Sequence, residues 1–159
     1  MNTTKEIIVL TGAGQLGMAI VRRMAYGNKL FIADWKMENA EAITKTLVDA
    51  GFDAVPFKTD ISSRASILEL IEAAKKEGEI AMFINAAGVS PSQSTKEDIL
   101  AVDLYGTAVL LEEFGKVMKQ GGTGVTISSQ SGHRMPALTA EEDRLLATTP
   151  TEELLGLSI

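Results

Sequence analysis

Five short apolar segments, separated by stretches with helical periodicity, restrict the fold of this chain more than any other feature. They cover residues 7–10, 29–34, 53–57, 80–84 and 125–129. Between the third and fourth segments, apolar side chains recur on one helix face, at Ile67, Leu70, Ile71 and Ala74. Strands that alternate with helices need crossover connections, which are nearly always right-handed and give a parallel sheet. The sequence therefore predicts a doubly wound α/β fold, with helices on both faces of a parallel sheet.

The residue composition excludes several classes of function. The chain has 159 residues, 15 Lys and Arg against 21 Asp and Glu, and a net charge of −6, which disfavours nucleic-acid binding. It has no cysteine and one histidine, so disulfides, thiolate or imidazole-rich metal sites and a cysteine nucleophile are excluded. We predict no metal site, and we expect His133 to be a solvated loop residue.

The sequence shows no segment that resembles a signal peptide or a membrane span. Residues 1–6 are short and polar, and the apolar segments are far too short for a signal-peptide core or a bilayer span. We therefore expect no membrane partner and a cytoplasmic location.

A glycine-rich turn, residues 11–17 (TGAGQLG), joins the first strand to a helix predicted over residues 15–26. Gly12 allows a tight turn, Gly14 leaves room for a pyrophosphate near the backbone, and Gly17 lets helix and strand pack closely. The free amides at the start of the helix face the phosphates. We expect Gln15 and Leu16 to approach the phosphates and nicotinamide. The pattern predicts dinucleotide binding, and the alternative is a turn whose glycines serve packing alone.

An acidic residue, Asp34, ends the second strand seventeen residues after Gly17. A carboxylate at this place accepts hydrogen bonds from the ribose hydroxyls and repels a 2′-phosphate, so we predict a preference for NAD over NADP. The alternative is a solvated residue at a strand end. Trp35 is a candidate to flank the adenine or else an exposed aromatic, and Lys36 is a cation that could partly accommodate a phosphate.

From residue 7 to 132 the chain resembles the short-chain dehydrogenases/reductases. The similarity is carried by residues 11–17, Asp34, residues 59–61 (TDI), 85–88 (NAAG), 102–106 (VDLYG) and 127–132 (ISSQSG). The resemblance implies a Rossmann-like fold, a nicotinamide dinucleotide, and hydride transfer to or from a small alcohol or carbonyl substrate. It also implies a homo-oligomer that associates through the long helix predicted over residues 96–119.

The same resemblance assigns further residues to the cofactor. The counterpart of Asp60 contacts the adenine amino group, with Ile61 beside it. The turn after the fourth strand supports the sheet and lines the cofactor, through Asn85, Ala86, Ala87 and Gly88. Structural alternatives remain at two positions, because Asp60 could cap the following helix and Asn85 could satisfy the backbone of its turn.

By the resemblance, Ser129 is the catalytic serine that holds the substrate oxygen, and Ser128 is the weaker candidate. Asp103 stands where the family commonly has an asparagine that helps to hold a water. An ionised carboxylate can accept a hydrogen bond but cannot donate one. Asp103 therefore implies either a rearranged proton relay or a residue on the helix surface. The glycine turn is also one residue shorter than the usual family form.

The family's proton-donating tyrosine and its lysine follow the serine, yet here no Tyr follows Tyr105 and no Lys follows Lys119. We therefore expect a dinucleotide-binding domain over residues 1–129 and an incomplete substrate-lid loop with short helices over 130–159.

In that second part, Thr139 with Glu142 and Thr149 with Glu152 fit capping boxes, the latter with Pro150 at the first helical position. The apolar end at Ile159 suggests an interruption after the fifth strand.

Three functional hypotheses follow. The first is the cofactor-binding part of an NAD-dependent short-chain oxidoreductase, a fragment that binds the dinucleotide without turnover. The second is a natural short form that acts as a non-catalytic dinucleotide-binding or sensing module. A methyltransferase is the third, and it ranks last because that class usually ends the first strand with an acid, whereas this strand ends with Thr11.

Overall fold

The computed structural model describes residues 5–158. Most of the polar start, residues 1–4, and the terminal Ile159 lie outside the described residues.

Over residues 5–158, five parallel strands form one sheet, which confirms the predicted doubly wound α/β fold. The strands are β1 (Ile7–Thr11), β2 (Lys29–Asp34), β3 (Asp53–Lys58), β4 (Ile80–Asn85) and β5 (Thr123–Thr126), and their order in the sheet is β3-β2-β1-β4-β5. The strand order reverses between β1 and β4, and sheets of this kind bind ligands at the carboxyl ends of the strands beside such a reversal. Thr11 pairs with Ala33 on one side and Asn85 on the other, so three strand ends meet there in register.

In the part of the chain that the structure describes, six α-helices connect and follow the strands. They are α1 (Gln15–Met24), α2 (Met37–Asp49), α3 (Arg64–Glu77), α4 (Lys96–Ile99), α5 (Thr107–Val117) and α6 (Ala140–Thr148). A wide π-helical turn, Leu100–Gly106, joins α4 to α5, and two 3₁₀ turns, Gln130–His133 and Thr151–Gly156, flank α6. Within residues 5–158, no helix is long and apolar enough to span a bilayer.

Strand β1 lies in the middle of the sheet and is buried on both faces, which fits its continuous apolar character. Ile7 and Val9 point into a core shared with α3 and α5, where Phe83 stacks on Phe114 with ring centroids 4.0 Å apart. The alternate residues of β1 point into the opposite core, beneath α1 and α2. Side chains alternate across a strand, so each face receives every second residue.

The fifth strand differs from its prediction over residues 125–129, because it runs from Thr123 to Thr126. Its last residue pairs with Asn85, where β4 ends. Beyond that pair, the Ile127 amide donates to the Asn85 carbonyl at 2.8 Å. Because β4 ends at Asn85, β5 has no further partner residues, and the chain leaves the sheet before it reaches Ser129.

Of the two predicted capping boxes, one is confirmed and one is wrong. Thr139 and Glu142 cap α6 reciprocally, with the Glu142 amide 3.2 Å from the Thr139 hydroxyl and the Thr139 amide 2.7 Å from the Glu142 carboxylate. The second turn begins after Pro150 without a side-chain cap. There the Glu152 carboxylate accepts hydrogen bonds from Arg64 and Tyr105 instead of from a capping amide.

Candidate functional site

A cleft of about 900 Å³ opens at the carboxyl ends of the central strands. Its walls are the turns that follow β1, β2, β3 and β4, together with parts of the helical region over residues 93–102. Ligand clefts commonly measure about 300–1,000 Å³, so the space suits a large organic ligand.

The glycine-rich turn forms one wall of this cleft. Gly12 has a φ of +87°, and an added Cβ would lie 2.4 Å from the Ala87 amide nitrogen, so the turns after β1 and β4 touch. At Gly17 an added Cβ would lie 2.8 Å from Leu10, which accounts for the close packing of α1 on β1. No atom lies within 4 Å of a Cβ built on Gly14, among the described residues. The backbone at Gly14 therefore faces open space in the cleft wall.

Helix α1 begins beside that open space. Its first residue follows Gly14, which offers no side-chain cap, so the amides of the first turn have no partner within the helix. These amides and the helix dipole make the amino end of α1 electropositive. The side chains of Gln15 and Leu16 are exposed and lie outside the cleft lining, so they adjoin it through their backbone.

Across from the glycine turn, the Asp34 carboxylate is held by three donors. Its Oδ2 accepts from the Ala13 amide at 2.9 Å. Its Oδ1 accepts from the Lys36 amide at 3.0 Å and from Asn39 Nδ2 at 3.2 Å. Asn39 was not among the predicted site residues, although it lies in the first turn of α2, five residues after Asp34, where a side chain can reach back toward the preceding loop.

Trp35 and Lys36 form the rim of the cleft next to Asp34. Trp35 is 64% exposed, and Lys36 Nζ lies 4.8 Å from the centroid of its ring. This is cation–π distance, so the ammonium is drawn to the ring face. Both side chains stay near the solvent.

Asp60 and Ile61 follow β3 on the next part of the wall. Asp60 Oδ1 accepts from the Ser62 amide at 2.9 Å and from its hydroxyl at 2.6 Å. The cap of α3 is Ser63, whose hydroxyl accepts from the Ser66 amide. Asp60 thus shapes the turn before the cap, and Ile61 is buried beneath it.

Asn85 lies under the turn after β4 and is only 1% exposed. Its Oδ1 accepts from the Thr11 hydroxyl at 2.9 Å and from the Ala87 amide at 3.2 Å, and its Nδ2 donates to the Thr107 hydroxyl at 3.4 Å. The amide is therefore used inside the protein. Ala86, Ala87 and Gly88, which this amide supports, line the cleft.

The Asp103 side chain holds the far end of the same turn. Its Oδ1 accepts from the Val89 amide at 3.0 Å and lies 3.3 Å from a Cβ built on Gly88. An ionised carboxylate can fill this role because the contact requires only an acceptor. Asp103 thereby fastens the wide turn Leu100–Gly106 to the cleft wall.

Ser129 lies apart from these residues. It is exposed, three residues beyond β5, and outside the cleft lining. Its hydroxyl accepts from the Ser131 amide at 3.1 Å and starts the short turn that contains His133. The cleft lining includes the expected cofactor residues Gly12, Gly14, Asp34, Trp35, Asp60, Ile61, Ala86, Ala87 and Gly88. It does not include Gln15, Leu16, Gly17 or Asn85, and the expected catalytic serine stands at the beginning of an exposed loop. In the described part of the chain, no group of three Asp, Glu or His side chains could hold a metal ion.

Comparison with known sequences identifies relatives over nearly the whole chain. The family model described as short chain dehydrogenase matches residues 6–140. The short-chain dehydrogenase/reductase bsc3 of Alternaria brassicicola is 35% identical over 162 residues, covering 98% of this chain and 57% of that protein. Levodione reductase of Leifsonia aquatica is 29% identical over 141 residues, covering 80% and 53%. The chain spans little more than half the length of these relatives.

Solved structures share the fold. NAD⁺-bound xylitol dehydrogenase superposes with a TM-score of 0.73 at 21% identity, covering 85% of this chain and 57% of that one. A short-chain dehydrogenase/reductase from Burkholderia phymatum in complex with NAD gives 0.73 at 24% identity, covering 92% and 57%. At such identities the likeness establishes the fold alone.

Proposed function

This chain belongs to the short-chain dehydrogenase family, and on that premise we propose that its cleft binds a nicotinamide dinucleotide for an oxidoreductase of alcohol or carbonyl compounds. The observation that carries the proposal is the hydrogen bond between Asp34 and the Ala13 amide. It joins an acceptor for ribose hydroxyls to the turn whose amides suit a pyrophosphate.

The residues present fit an ADP-ribose group at this place. The space over Gly14 and the uncapped first turn of α1 suit the pyrophosphate. The Asp34 carboxylate has its three protein donors on the loop and α2 side, and a carboxylate offers about four acceptor positions. One acceptor position therefore remains for a ribose hydroxyl. Asp60 lies one strand further along, where its carboxylate suits an adenine amino group.

The preferred form of the cofactor is NAD in this proposal. A 2′-phosphate would meet the negative charge of Asp34 at close range, and Coulomb repulsion of that kind disfavours NADP. Lys36 is the cation nearest along the chain, but its ammonium lies over the Trp35 ring. NADP is thus the weaker ligand.

Two side chains support the cofactor site by holding one of the turns that line it. Asn85 and Asp103 hold the turn Ala86–Val89 at its start and its end, through the Ala87 and Val89 amides. A bound nicotinamide supplies the hydride acceptor or donor. The chain's own contribution is to bind it, to orient it against this turn, and to keep a defined wall beside it.

The substrate side involves the remainder of the chain. We assign the substrate oxygen to the Ser129 hydroxyl and the substrate-facing loop to residues beyond 129, which begin where β5 leaves the sheet. The names of the relatives, a reductase and a dehydrogenase, favour an alcohol or carbonyl substrate. No Tyr follows Tyr105 to donate the proton, so the 159-residue chain is proposed to bind the cofactor without turnover.

A non-catalytic dinucleotide-binding module is the second candidate. The observation in its favour is the position of Ser129 outside the cleft lining. Titration of the chain with NADH tests the part common to both candidates. Reading the coding sequence past residue 159 for a Tyr-x-x-x-Lys, and assaying alcohol-dependent NAD reduction by any product that contains it, separates them.

Association into a homo-oligomer is also part of the proposal. Leu111 on α5 and Leu155 on the last turn are about half exposed. Apolar side chains exposed in this way favour contact with another subunit, and sedimentation velocity measures the resulting mass.

A further inference from the structure

The loop after β5 is fixed at both ends but exposed between them. Every residue from 127 to 141 is exposed. At its start, the Ile127 amide is bound to the Asn85 carbonyl. Beyond α6, the turn Thr151–Gly156 docks on the wide turn Leu100–Gly106, with Leu154 only 5% exposed.

Two residues of the docked turn bind neighbouring elements through their side chains: Thr151 bonds to Glu112 of α5, and Glu152 contacts Arg64 and Tyr105. Glu152 Oε1 accepts from Arg64 Nε at 2.6 Å. The Tyr105 hydroxyl lies 3.1 Å from Oε1 and 3.0 Å from Oε2 of the same side chain. Leu154 thus supplies an apolar contact, and Glu152 adds two polar partners from separate elements, α3 and the wide turn.

Arg64 is itself immobilised by α5. Its guanidinium pairs with Glu112 at 2.9 Å and with Glu113, which is nearly buried. The hydrogen bond with Glu112 raises the pKa of Arg64, so the guanidinium stays charged. Burial raises the pKa of Tyr105, which keeps the phenol protonated as a donor. Glu152 therefore meets a fixed cation and a fixed hydroxyl.

The wide turn connects this attachment to the cleft. Tyr105 faces Glu152, whereas Asp103 holds the Val89 amide and Val102 lines the cleft. All three residues belong to Leu100–Gly106. The turn whose Tyr105 contacts Glu152 is therefore the same turn that supports the cleft wall through Asp103.

We propose that Glu152 is a positioning residue, which latches Thr151–Gly156 to Arg64 and Tyr105 and so fixes the far end of the loop over residues 127–150. The latch limits how far this segment can move away from the sheet, to which its start is bound through the Ile127 amide. The role of the loop at the substrate rests on the proposed function, whereas the latch does not.

Limited trypsin digestion of the full chain tests the latch, because Arg134 lies in the exposed loop and Arg144 in α6, both within residues 127–150. Cleavage there requires local opening, and releasing one end makes opening more frequent. We expect Glu152→Ala to speed cleavage after both arginines by roughly three- to ten-fold, the size expected for a partly exposed charged hydrogen-bond pair. Glu152→Gln should fall between, because its amide oxygen still accepts from Tyr105.

Glu153 provides the matched control. It lies on the same turn, and its side chain makes no hydrogen bond or ion pair with the residues that the structure describes. Glu153→Ala should leave the cleavage rates unchanged. Tyr105→Phe should speed cleavage in the wild-type background but add little to Glu152→Ala, since both remove the same bond. Equal rates in Glu152→Ala and wild type, or equal acceleration in Glu153→Ala, would overturn the latch.

Hydrogen exchange separates a local latch from a general contribution to stability. In Glu152→Ala, amides of residues 127–156 should exchange faster while those of β1 and β4 stay protected. Faster exchange throughout the sheet would contradict the proposal. NADH titration of the same variant should give the wild-type affinity. If wild-type chain binds no NADH while Glu152→Ala still frees the loop, the proposed function fails and the latch stands.

Discussion

Asp34 Oδ2 lies 2.9 Å from the backbone nitrogen of Ala13, so the end of β2 is hydrogen-bonded directly to the glycine turn after β1. The bond spans 21 residues of sequence and joins two parts of the cleft lining. The same carboxylate is the expected partner of a ribose hydroxyl. One side chain would therefore both bind the cofactor and hold the glycine turn in place.

Replacing Asp34 should change cofactor preference. In Asp34→Ala, NADH loses its ribose acceptor, and we expect its dissociation constant to rise about ten-fold, as for loss of a hydrogen bond to a charged group. NADPH should weaken less or improve, since the repulsion of its 2′-phosphate is removed. Calorimetric titration of both nucleotides measures the ratio. Asp49→Ala, on the far end of α2, is the control and should bind as wild type.

Two glycines of one turn should respond differently to substitution. Gly12→Ala places a Cβ against the Ala87 backbone at a φ of +87°, so we expect a loss of roughly 2–4 kcal/mol in the free energy of unfolding. Gly14→Val meets open space, so the protein should keep its stability while losing NADH affinity. Urea denaturation and NADH titration give the two readouts. Similar stability losses in both variants would contradict this account of the turn.

Replacing Asp103 by asparagine should preserve the hydrogen bond that holds the turn after β4, whereas replacing it by alanine should remove that bond. The Val89 amide needs an acceptor, and the asparagine Oδ1 provides one at the same position. Asp103→Ala should therefore speed hydrogen exchange at Val89 by about five-fold or more, as expected for loss of one hydrogen bond, while Asp103→Asn stays near wild type. Faster exchange in both variants would indicate that charge, and not the acceptor, holds the turn.

The Glu112 carboxylate should make stability depend on acid pH. The hydrogen bond from Arg64, followed by those from Lys116 and Thr151, lowers the pKa of Glu112 from 4.5 to about 2. Since the folded pKa lies below the unfolded one, the contribution is present above about pH 4.5 and is lost as the pH falls toward 2. Its size is small because the group is exposed.

The measurement compares wild type with Glu112→Gln by denaturation at several pH values. The variant should be less stable near neutral pH, and the difference should shrink as the pH falls below 4.5. Lys76→Gln on α3 is the control, since Lys76 is exposed and forms no ion pair with the residues that the structure describes, and it should give no such trend. A difference between wild type and Glu112→Gln that stays constant down to about pH 3 would contradict the assignment.

Local patterns predicted the fold because each depends on neighbours in sequence. The strand over residues 29–34 was predicted to the residue, and the Thr139–Glu142 cap was recognised from two side chains three positions apart. The end of β5 could not be predicted, since it depends on where β4 stops at Asn85. The partner of Glu152 was also beyond reach, because Arg64 lies 88 residues away.

The site follows the same division. Gly12, Gly14 and Asp34 were recognisable from spacing, and the structure brings them to one cleft. Asn85 illustrates what spacing cannot tell, since its amide is turned inward to Thr11 and Thr107 and leaves its neighbours to face the cleft. Ser129 depends on the path of an exposed loop, which local sequence patterns do not determine.

The central claim is that the glycine turn and Asp34 together hold a nicotinamide dinucleotide. Calorimetric titration of the folded chain with NADH, beside Gly14→Val with the same circular dichroism spectrum, tests it most directly. The account predicts saturable binding of one NADH per chain, abolished by Gly14→Val. Absence of binding to well-folded wild-type chain, or equal binding to the variant, would contradict it.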